Sequence, residues 1–181
     1  MTVSSVLFIH SAGPQSENEG SGRLVAALQS RLPEDFQLRA PIMPEPNDPD
    51  AAAWSQAFSE HVRAAAAPLI LVGHSLGGST ILKYLAEHES PPGLRSVISI
   101  ATPFWGEDMK SWKLPPGFAK RLSSIPRLIF YHSRDDYEVP FSHVERYANA
   151  LPQALIRRVN GRGHLFDNGE VEDILADITA G

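Results

Sequence analysis

The amino-acid sequence predicts an α/β fold, in which a mostly parallel sheet of about six strands carries helices on both faces. Short apolar segments alternate with longer amphipathic ones along the chain, which is typical of a doubly wound sheet. The segment Leu69–Val72 is apolar at every position, as expected of a central strand that is covered on both faces. The length of 181 residues suits one hydrophobic core, so we expect a single domain over residues 1–181.

The first elements are a strand, a helix and a second strand. Val3–Ile9 is a short, mostly apolar run that ends in a loop, which predicts a buried strand. Ser21–Leu32 has leucines at helical spacing, and the proline that follows it stops the predicted helix. Phe36–Ala40 is a predicted strand that leads into a proline-rich stretch, which excludes regular structure there.

The middle of the chain continues the alternation. Asp48 followed by Pro49 predicts a helix N-cap with proline at the first helical position. That helix ends before Pro68, and the apolar strand Leu69–Val72 comes next. Leu76–Glu89 is amphipathic and is predicted to be a helix.

The last elements follow the same alternation. The remaining strands are predicted at Val97–Ala101, Leu128–Tyr131 and Leu155–Val159, and the remaining helices at Ser142–Leu151 and Val171–Ile178. Thr102–Ser124 is the longest segment predicted to be irregular. The chain is too short to carry a large helical lid as well, so we expect an open site.

The strongest chemical signal is a serine between two glycines, in the order Gly73, Ser75 and Gly77. The pattern G-x-S-x-G follows the most apolar strand and opens a helix, the setting in which a strained turn exposes a nucleophilic serine. Glycines are needed on either side because a Cβ there would collide with the neighbouring strand and helix. The turn places the amide of Leu76 at a helix N-terminus, where it can bind an oxyanion. The alternative is a glycine-rich turn with an incidental serine.

A serine nucleophile needs a base and an acid that orients the base. With a strand–serine–helix turn, the expected order along the chain is serine, acid and then histidine. Of the seven histidines, only His164 follows the last predicted strand. The acid should follow the strand Leu128–Tyr131, where Asp135 and Asp136 are adjacent. The residue types alone leave both aspartates open.

The second oxyanion donor is expected in the loop after the first strand. His10–Gly13 occupies that position, and the amide of Ala12 is the best candidate. The alternative is a simple strand-ending turn.

Three motifs in this chain resemble those of α/β hydrolases: Gly73–Gly78, Asp136–Pro140 and Gly163-His164. Within that superfamily, the short chain and the stretch Met43–Pro46 followed by Trp54 resemble the small serine hydrolases named after retinoblastoma-binding protein nine. The resemblance covers nearly the whole chain and implies an α/β-hydrolase fold.

The resemblance also bears on single residues. In the family pattern D-x-x-[VL]-P the aspartate is the acid, which implies Asp136 here. The chain departs from the pattern at His10-Ser11, where many α/β hydrolases have His-Gly. It contains no cysteine, so the interaction associated with an L-x-C-x-E motif does not carry over.

Composition excludes several other classes of function. A net charge of −5 without a clustered basic face argues against nucleic-acid binding. The chain has no cysteine and no histidine spacing of the zinc-binding type, so we expect it to bind neither a metal nor a cofactor. The apolar run Val6–Ile9 is short and has no basic residue before it, and no stretch reaches membrane-spanning length. We expect a cytoplasmic protein without a membrane partner, as a monomer or weak homodimer.

Together these patterns predict a serine hydrolase that cleaves small carboxylic esters through an acyl-enzyme. Thioester or amide cleavage by the same residues is the first alternative, and a catalytically silent binding module with the same fold is the second. The residues predicted to line the substrate pocket are His10, Phe104 and Trp105, with Trp112 as a further apolar candidate.

Overall fold

A computed structural model describes residues 3–180, apart from the side chain of residue 108. Its strands are β1 (Ser4–Ile9), β2 (Phe36–Arg39), β3 (Leu69–His74), β4 (Leu94–Ile100), β5 (Leu128–Ser133) and β6 (Leu155–Val159). They form one parallel sheet in the order β2-β1-β3-β4-β5-β6. The order reverses next to β1, as in a doubly wound sheet, and this confirms the predicted fold class.

The described residues also form six α-helices, of which the last follows β6. They are α1 (Gly22–Arg31), α2 (Ala51–Arg63), α3 (Leu76–Glu87), α4 (Phe118–Leu122), α5 (Ser142–Ala150) and α6 (Glu172–Thr179). A 3₁₀ turn at Glu107–Met109 and the short α4 lie in the segment predicted to be irregular, so the prediction for Thr102–Ser124 was incomplete. Among the described residues, this segment contains no large lid.

The predicted start of α2 was wrong by two residues. The N-cap is Asp50, whose carboxylate accepts a hydrogen bond from the Ala53 amide at 2.8 Å. Asp48 belongs to the preceding turn instead, where its amide donates to the Glu45 carbonyl at 2.9 Å. The proline therefore precedes the cap and is not the first helical residue.

The core lies on both faces of the sheet because neighbouring residues of a strand point to opposite sides. On β1, Val6 and Phe8 pack on the face covered by α1 and α6. Leu7 and Ile9 pack on the other face, together with side chains of α2, α3, α4 and α5. Every residue of β3 is buried, as its apolar sequence predicted.

The parallel arrangement brings the carboxyl ends of the strands to one edge of the sheet. The loops after β1, β3, β5 and β6 carry the residues predicted to be the nucleophile, the acid, the base and the oxyanion donors. Within residues 3–180 no helix combines the length and the apolar character needed to cross a membrane.

Candidate active site

Ser75 occupies a sharp turn between β3 and α3. Its backbone has φ 52° and ψ −117°, a combination that residues other than glycine rarely adopt. The Ser75 amide donates to the Ile100 carbonyl at 2.8 Å, which anchors the turn to β4. Strain of this kind costs about 1–3 kcal/mol and persists where the surrounding structure imposes it.

The glycines that flank Ser75 are required by close backbone approaches. A Cβ on Gly77 would overlap the carbonyl oxygen of Ile9 at the end of β1. A Cβ on Gly73 would come within 2.6 Å of the Gly78 Cα. These contacts are the collisions that the G-x-S-x-G pattern predicted, and they hold α3 tightly against the sheet.

His164 lies in the loop after β6 and is buried. Its ring packs beside that of His74, the residue before Ser75, with centroids 5.3 Å apart. The His164 Nδ1–H donates to Asp136 Oδ2 at 2.9 Å. This bond fixes the tautomer, so that Nε2 is the nitrogen available to accept a proton.

Asp136 is held rigidly in the loop after β5. Its Oδ1 accepts hydrogen bonds from the amides of Glu138 at 3.0 Å and Val139 at 2.8 Å. Burial alone would raise the pKa of this carboxyl, but the hydrogen bonds from His164 and the two amides outweigh it and hold the pKa below its usual range. The carboxylate therefore stays ionised beside the imidazole.

A second histidine lies behind the acid. His132 Nε2–H donates to the Val139 carbonyl at 2.9 Å and lies 3.5 Å from Asp136 Oδ2. Burial lowers the pKa of His132, so the ring is neutral and does not compete with His164 for the carboxylate as a cation.

The structure separates the two adjacent aspartates. Asp136 contacts His164, whereas Asp135 is exposed and accepts hydrogen bonds from the Ser133 hydroxyl and from the Gly161 amide, the latter at 3.0 Å. Asp135 therefore joins the loop after β5 to the loop that carries His164.

His74 forms a buried chain of hydrogen bonds beneath the site. Its Nε2–H donates to the His164 carbonyl at 2.9 Å, and its Nδ1 accepts from the Ser21 hydroxyl at 2.8 Å. The same Ser21 oxygen accepts from the Ser11 amide at 2.9 Å. The chain therefore connects the histidine loop to the loop after β1. Burial, together with the nearby His164, lowers the pKa of His74 to about 3.

Two backbone amides near Ser75 and in the loop after β1 are not used in secondary-structure hydrogen bonds. Within residues 3–180, neither the Leu76 nor the Ala12 amide donates to another protein group. The loop that carries Ala12 is fixed on both sides, by the Ser11 bond to Ser21 and by the Gly13 amide, which donates to the Pro46 carbonyl at 2.7 Å. Both amides remain candidates for the oxyanion donors.

The residues predicted to line the pocket lie in different settings. His10 is buried and fastens the loop: its Nδ1–H donates to the Ser11 carbonyl, and its Nε2 accepts from the Met43 amide at 2.8 Å. Phe104 and Trp105 are half-buried in the segment after β4.

Hydrogen bonds attach that segment to α5 and α3. The Phe104 amide donates to His143 Nδ1 at 2.8 Å, and Trp105 Nε1–H donates to the Ser79 hydroxyl at 2.9 Å. Trp112 is buried and packs edge-on against Trp54 in the core.

Three participants were not singled out for a role from the sequence. Ser21 donates to His74, which is 53 residues away in the chain, and His132 donates to the Val139 carbonyl behind Asp136. Glu138 lies in the loop that carries Asp136, with its carboxylate 3.6 Å from His164 Nε2. Only Glu138 left a signal, its place inside the D-x-x-V-P pattern. In the part of the chain that the structure describes, no group of three or more histidine, aspartate or glutamate side chains could hold a metal ion.

Comparison with known proteins gives the same assignment at the level of family. The model of the family described as serine hydrolase matches residues 17–171. No curated protein sequence gives a significant match.

Solved structures share the fold at low sequence identity. The ydeN gene product from B. subtilis has 19% identity and a TM-score of 0.76, with 99% of this chain and 100% of that chain covered. A serine hydrolase involved in carbazole degradation, the CarC enzyme, has 13% identity and a TM-score of 0.72, with 99% of this chain and 90% of that chain covered. The esterase domain of a Rhodothermus marinus protein has 16% identity and a TM-score of 0.68, with 97% of this chain and 83% of that chain covered. Because the family model spans most of the sequence, the chain belongs to the serine hydrolase family, on an α/β-hydrolase fold.

Proposed function

We propose that this chain hydrolyses small carboxylic esters through an acyl-enzyme intermediate on Ser75. The observation that carries the proposal is the 2.9 Å hydrogen bond from His164 Nδ1 to the buried Asp136, next to the strained Ser75 turn. A buried carboxylate that orients a histidine beside a serine is the arrangement that activates the serine hydroxyl as nucleophile.

The first half of the reaction forms the acyl-enzyme. Ser75 Oγ attacks the ester carbonyl carbon while His164 Nε2 takes the hydroxyl proton. The amides of Leu76 and Ala12 stabilise the negative charge on the carbonyl oxygen. His164 then gives its proton to the leaving alcohol, and the bond between the carbonyl carbon and the alcohol oxygen breaks.

The second half releases the acid. Water attacks the acyl carbon while His164 takes its proton, and the Ser75 oxygen leaves as the hydroxyl when His164 returns that proton. Asp136 stays ionised throughout and stabilises the imidazolium that forms in each half. The route needs no metal or cofactor.

Thioesters and amides are the alternative substrates for the same residues. A thiol leaves more readily than an alcohol and an amine less readily, so relative turnover of matched substrates separates the three classes. An inactive binding module is disfavoured because such a protein would be free to lose Ser75, Asp136 or His164. Membership of the retinoblastoma-binding protein nine subgroup is part of the proposal and rests on the motifs Met43–Pro46 and Trp54.

Single substitutions test the proposal. Ser75→Ala and His164→Ala should each lower kcat for p-nitrophenyl acetate or butyrate by about 10⁴–10⁶, because members of such a group act as a unit. His88→Ala changes an exposed histidine at the end of α3 and should retain activity. Far-UV circular dichroism checks that each variant is folded. Retention of more than a few per cent of turnover by folded Ser75→Ala protein would contradict the proposal.

A further inference from the structure

Glu138 places a carboxylate at the reacting nitrogen of His164. Its Oε2 lies 3.6 Å from His164 Nε2, on the side of the ring opposite the Asp136 contact. The position of residue 138 is fixed because its amide donates to Asp136 Oδ1 at 3.0 Å. The side chain itself is 50% exposed, so it reaches this position from the solvent side.

This carboxylate is not neutralised by a basic side chain. Within residues 3–180, no lysine or arginine lies within ion-pairing distance of Glu138, and the imidazole of His164 is the one basic group that does. The titratable groups around His164 include Asp136, which is ionised, and His74 and His132, which burial keeps neutral. A substrate near Nε2 therefore meets a carboxylate whose charge is free to act on it.

The part of an ester that lies beside Nε2 is its alcohol. In the proposed mechanism His164 Nε2 protonates the leaving oxygen, which requires a separation of about 2.6–3.2 Å. With Glu138 Oε2 at 3.6 Å from the same nitrogen, the leaving oxygen is at most about 7 Å from the carboxylate. The substituents of the alcohol begin at this oxygen, so the alcohol is the part of the ester that we place next to Glu138.

We propose that Glu138 determines specificity for the alcohol part of the substrate. It favours esters of positively charged amino alcohols over neutral ones, and it disfavours alcohols that carry a carboxylate. This inference rests on the proposed function, because it assigns the leaving group to the His164 side of the site.

The size of the effect follows from distance and exposure. If about 7 Å is taken as the separation between a unit charge on the alcohol and this half-exposed carboxylate, an effective dielectric between that of a protein surface and that of water gives a factor of about three to ten in kcat/KM. Salt screens charges at this separation, so the preference should shrink at about 0.5 M sodium chloride.

The test compares three esters with one acyl group, the one that gives the highest turnover among p-nitrophenyl esters. Their alcohols are choline, its neutral carbon isostere 3,3-dimethylbutanol, and 3-hydroxypropanoate. Acid release measured by titration gives kcat/KM for each. We expect the wild-type protein to prefer the choline ester by about three- to tenfold over the neutral ester, and the neutral ester by a similar factor over the anionic one.

Two variants decide whether Glu138 is responsible. Glu138→Gln should bring the three values to within about twofold of one another. Glu34→Gln removes the same charge from an exposed position before β2, at the opposite edge of the sheet, and should leave the preference unchanged.

The outcomes separate this inference from the proposed function. Equal kcat/KM values in the wild-type protein, or a preference that survives in Glu138→Gln, overturn the inference while ester hydrolysis stands. A uniform loss on all three esters in Glu138→Gln also overturns it, since the carboxylate would then act on the imidazolium and not on the alcohol. Failure of the wild-type protein to hydrolyse any ester overturns the proposed function and the inference with it.

Discussion

Replacing His74 with asparagine tests the electrostatics beneath the active site. His74 is fully buried, and its Nδ1 accepts the Ser21 hydroxyl while its Nε2–H donates to the His164 carbonyl. The bond from Ser21 needs the neutral ring, because the cation has no acceptor nitrogen, whereas the bond to the His164 carbonyl can form with either charge state. Burial, with a contribution from His164, lowers the pKa of His74 to about 3 from 6.5.

The sign of the pH effect follows from proton uptake. Below pH 6.5 the unfolded chain protonates this histidine while the folded protein does not, so the free energy of unfolding falls as the pH falls. The slope approaches about 1.4 kcal/mol per pH unit, and the loss between pH 7.5 and 5.0 is about 2 kcal/mol for this group alone. Carboxylates contribute little in that window, because they titrate in the unfolded chain near pH 4.

Urea unfolding followed by circular dichroism at pH 7.5 and 5.0 measures the effect. The wild-type protein should lose more stability than His74→Asn between these two pH values, by about 2 kcal/mol. Ser21→Ala is the matched control: it removes a partner of Nδ1 and lowers stability at both pH values by about 1–3 kcal/mol, yet it keeps the titrating ring and therefore the pH dependence. Equal pH dependence in wild-type and His74→Asn protein would show that the neutral, buried His74 does not cause the loss of stability.

Two further substitutions test the geometry of the site. Asp136→Asn should lower kcat by about 10⁴, because His164 can then adopt the wrong tautomer. Asp135→Asn should change kcat by less than about tenfold, since an amide oxygen can still accept from the Gly161 amide; the reverse ranking on one ester would contradict the assignment. Gly77→Ala forces a Cβ against the end of β1 and should lower the free energy of unfolding by about 1–3 kcal/mol as well as impair turnover. A Gly77→Ala protein with wild-type stability and activity would show that the close approach is not required.

Much of the fold could be predicted from local patterns. The apolar run at Leu69–Val72 marked the central strand, which the structure extends to His74 because the glycine and histidine continue the pairing with β4. The predictions failed where tertiary contacts determine the local structure. Asp48 and Asp50 are equally good caps by type, and the turn from Glu45 to Asp48 determines which one begins α2. The five-residue helix α4 forms because Leu122 is buried in the core, and so short a segment has no clear periodicity.

The candidate site was predictable where strand order fixes the position of a loop. His164 and Asp136 are 28 residues apart, but they follow adjacent parallel strands, so the order of elements brings them together. The bond between Ser21 and His74 spans 53 residues and lies in no recognisable pattern. The charge that Glu138 places at His164 depends on a side-chain direction, which residue type alone does not reveal.

Labelling with a fluorophosphonate probe tests most directly whether Ser75 is the nucleophile. The probe forms a covalent bond only with an activated serine, and mass spectrometry of the digested protein identifies the residue. We expect one modified peptide that carries the label on Ser75, and loss of labelling in Ser75→Ala and His164→Ala proteins that remain folded. A label on another serine, or no label on the folded wild-type protein, would contradict the assignment of Ser75 as the nucleophile.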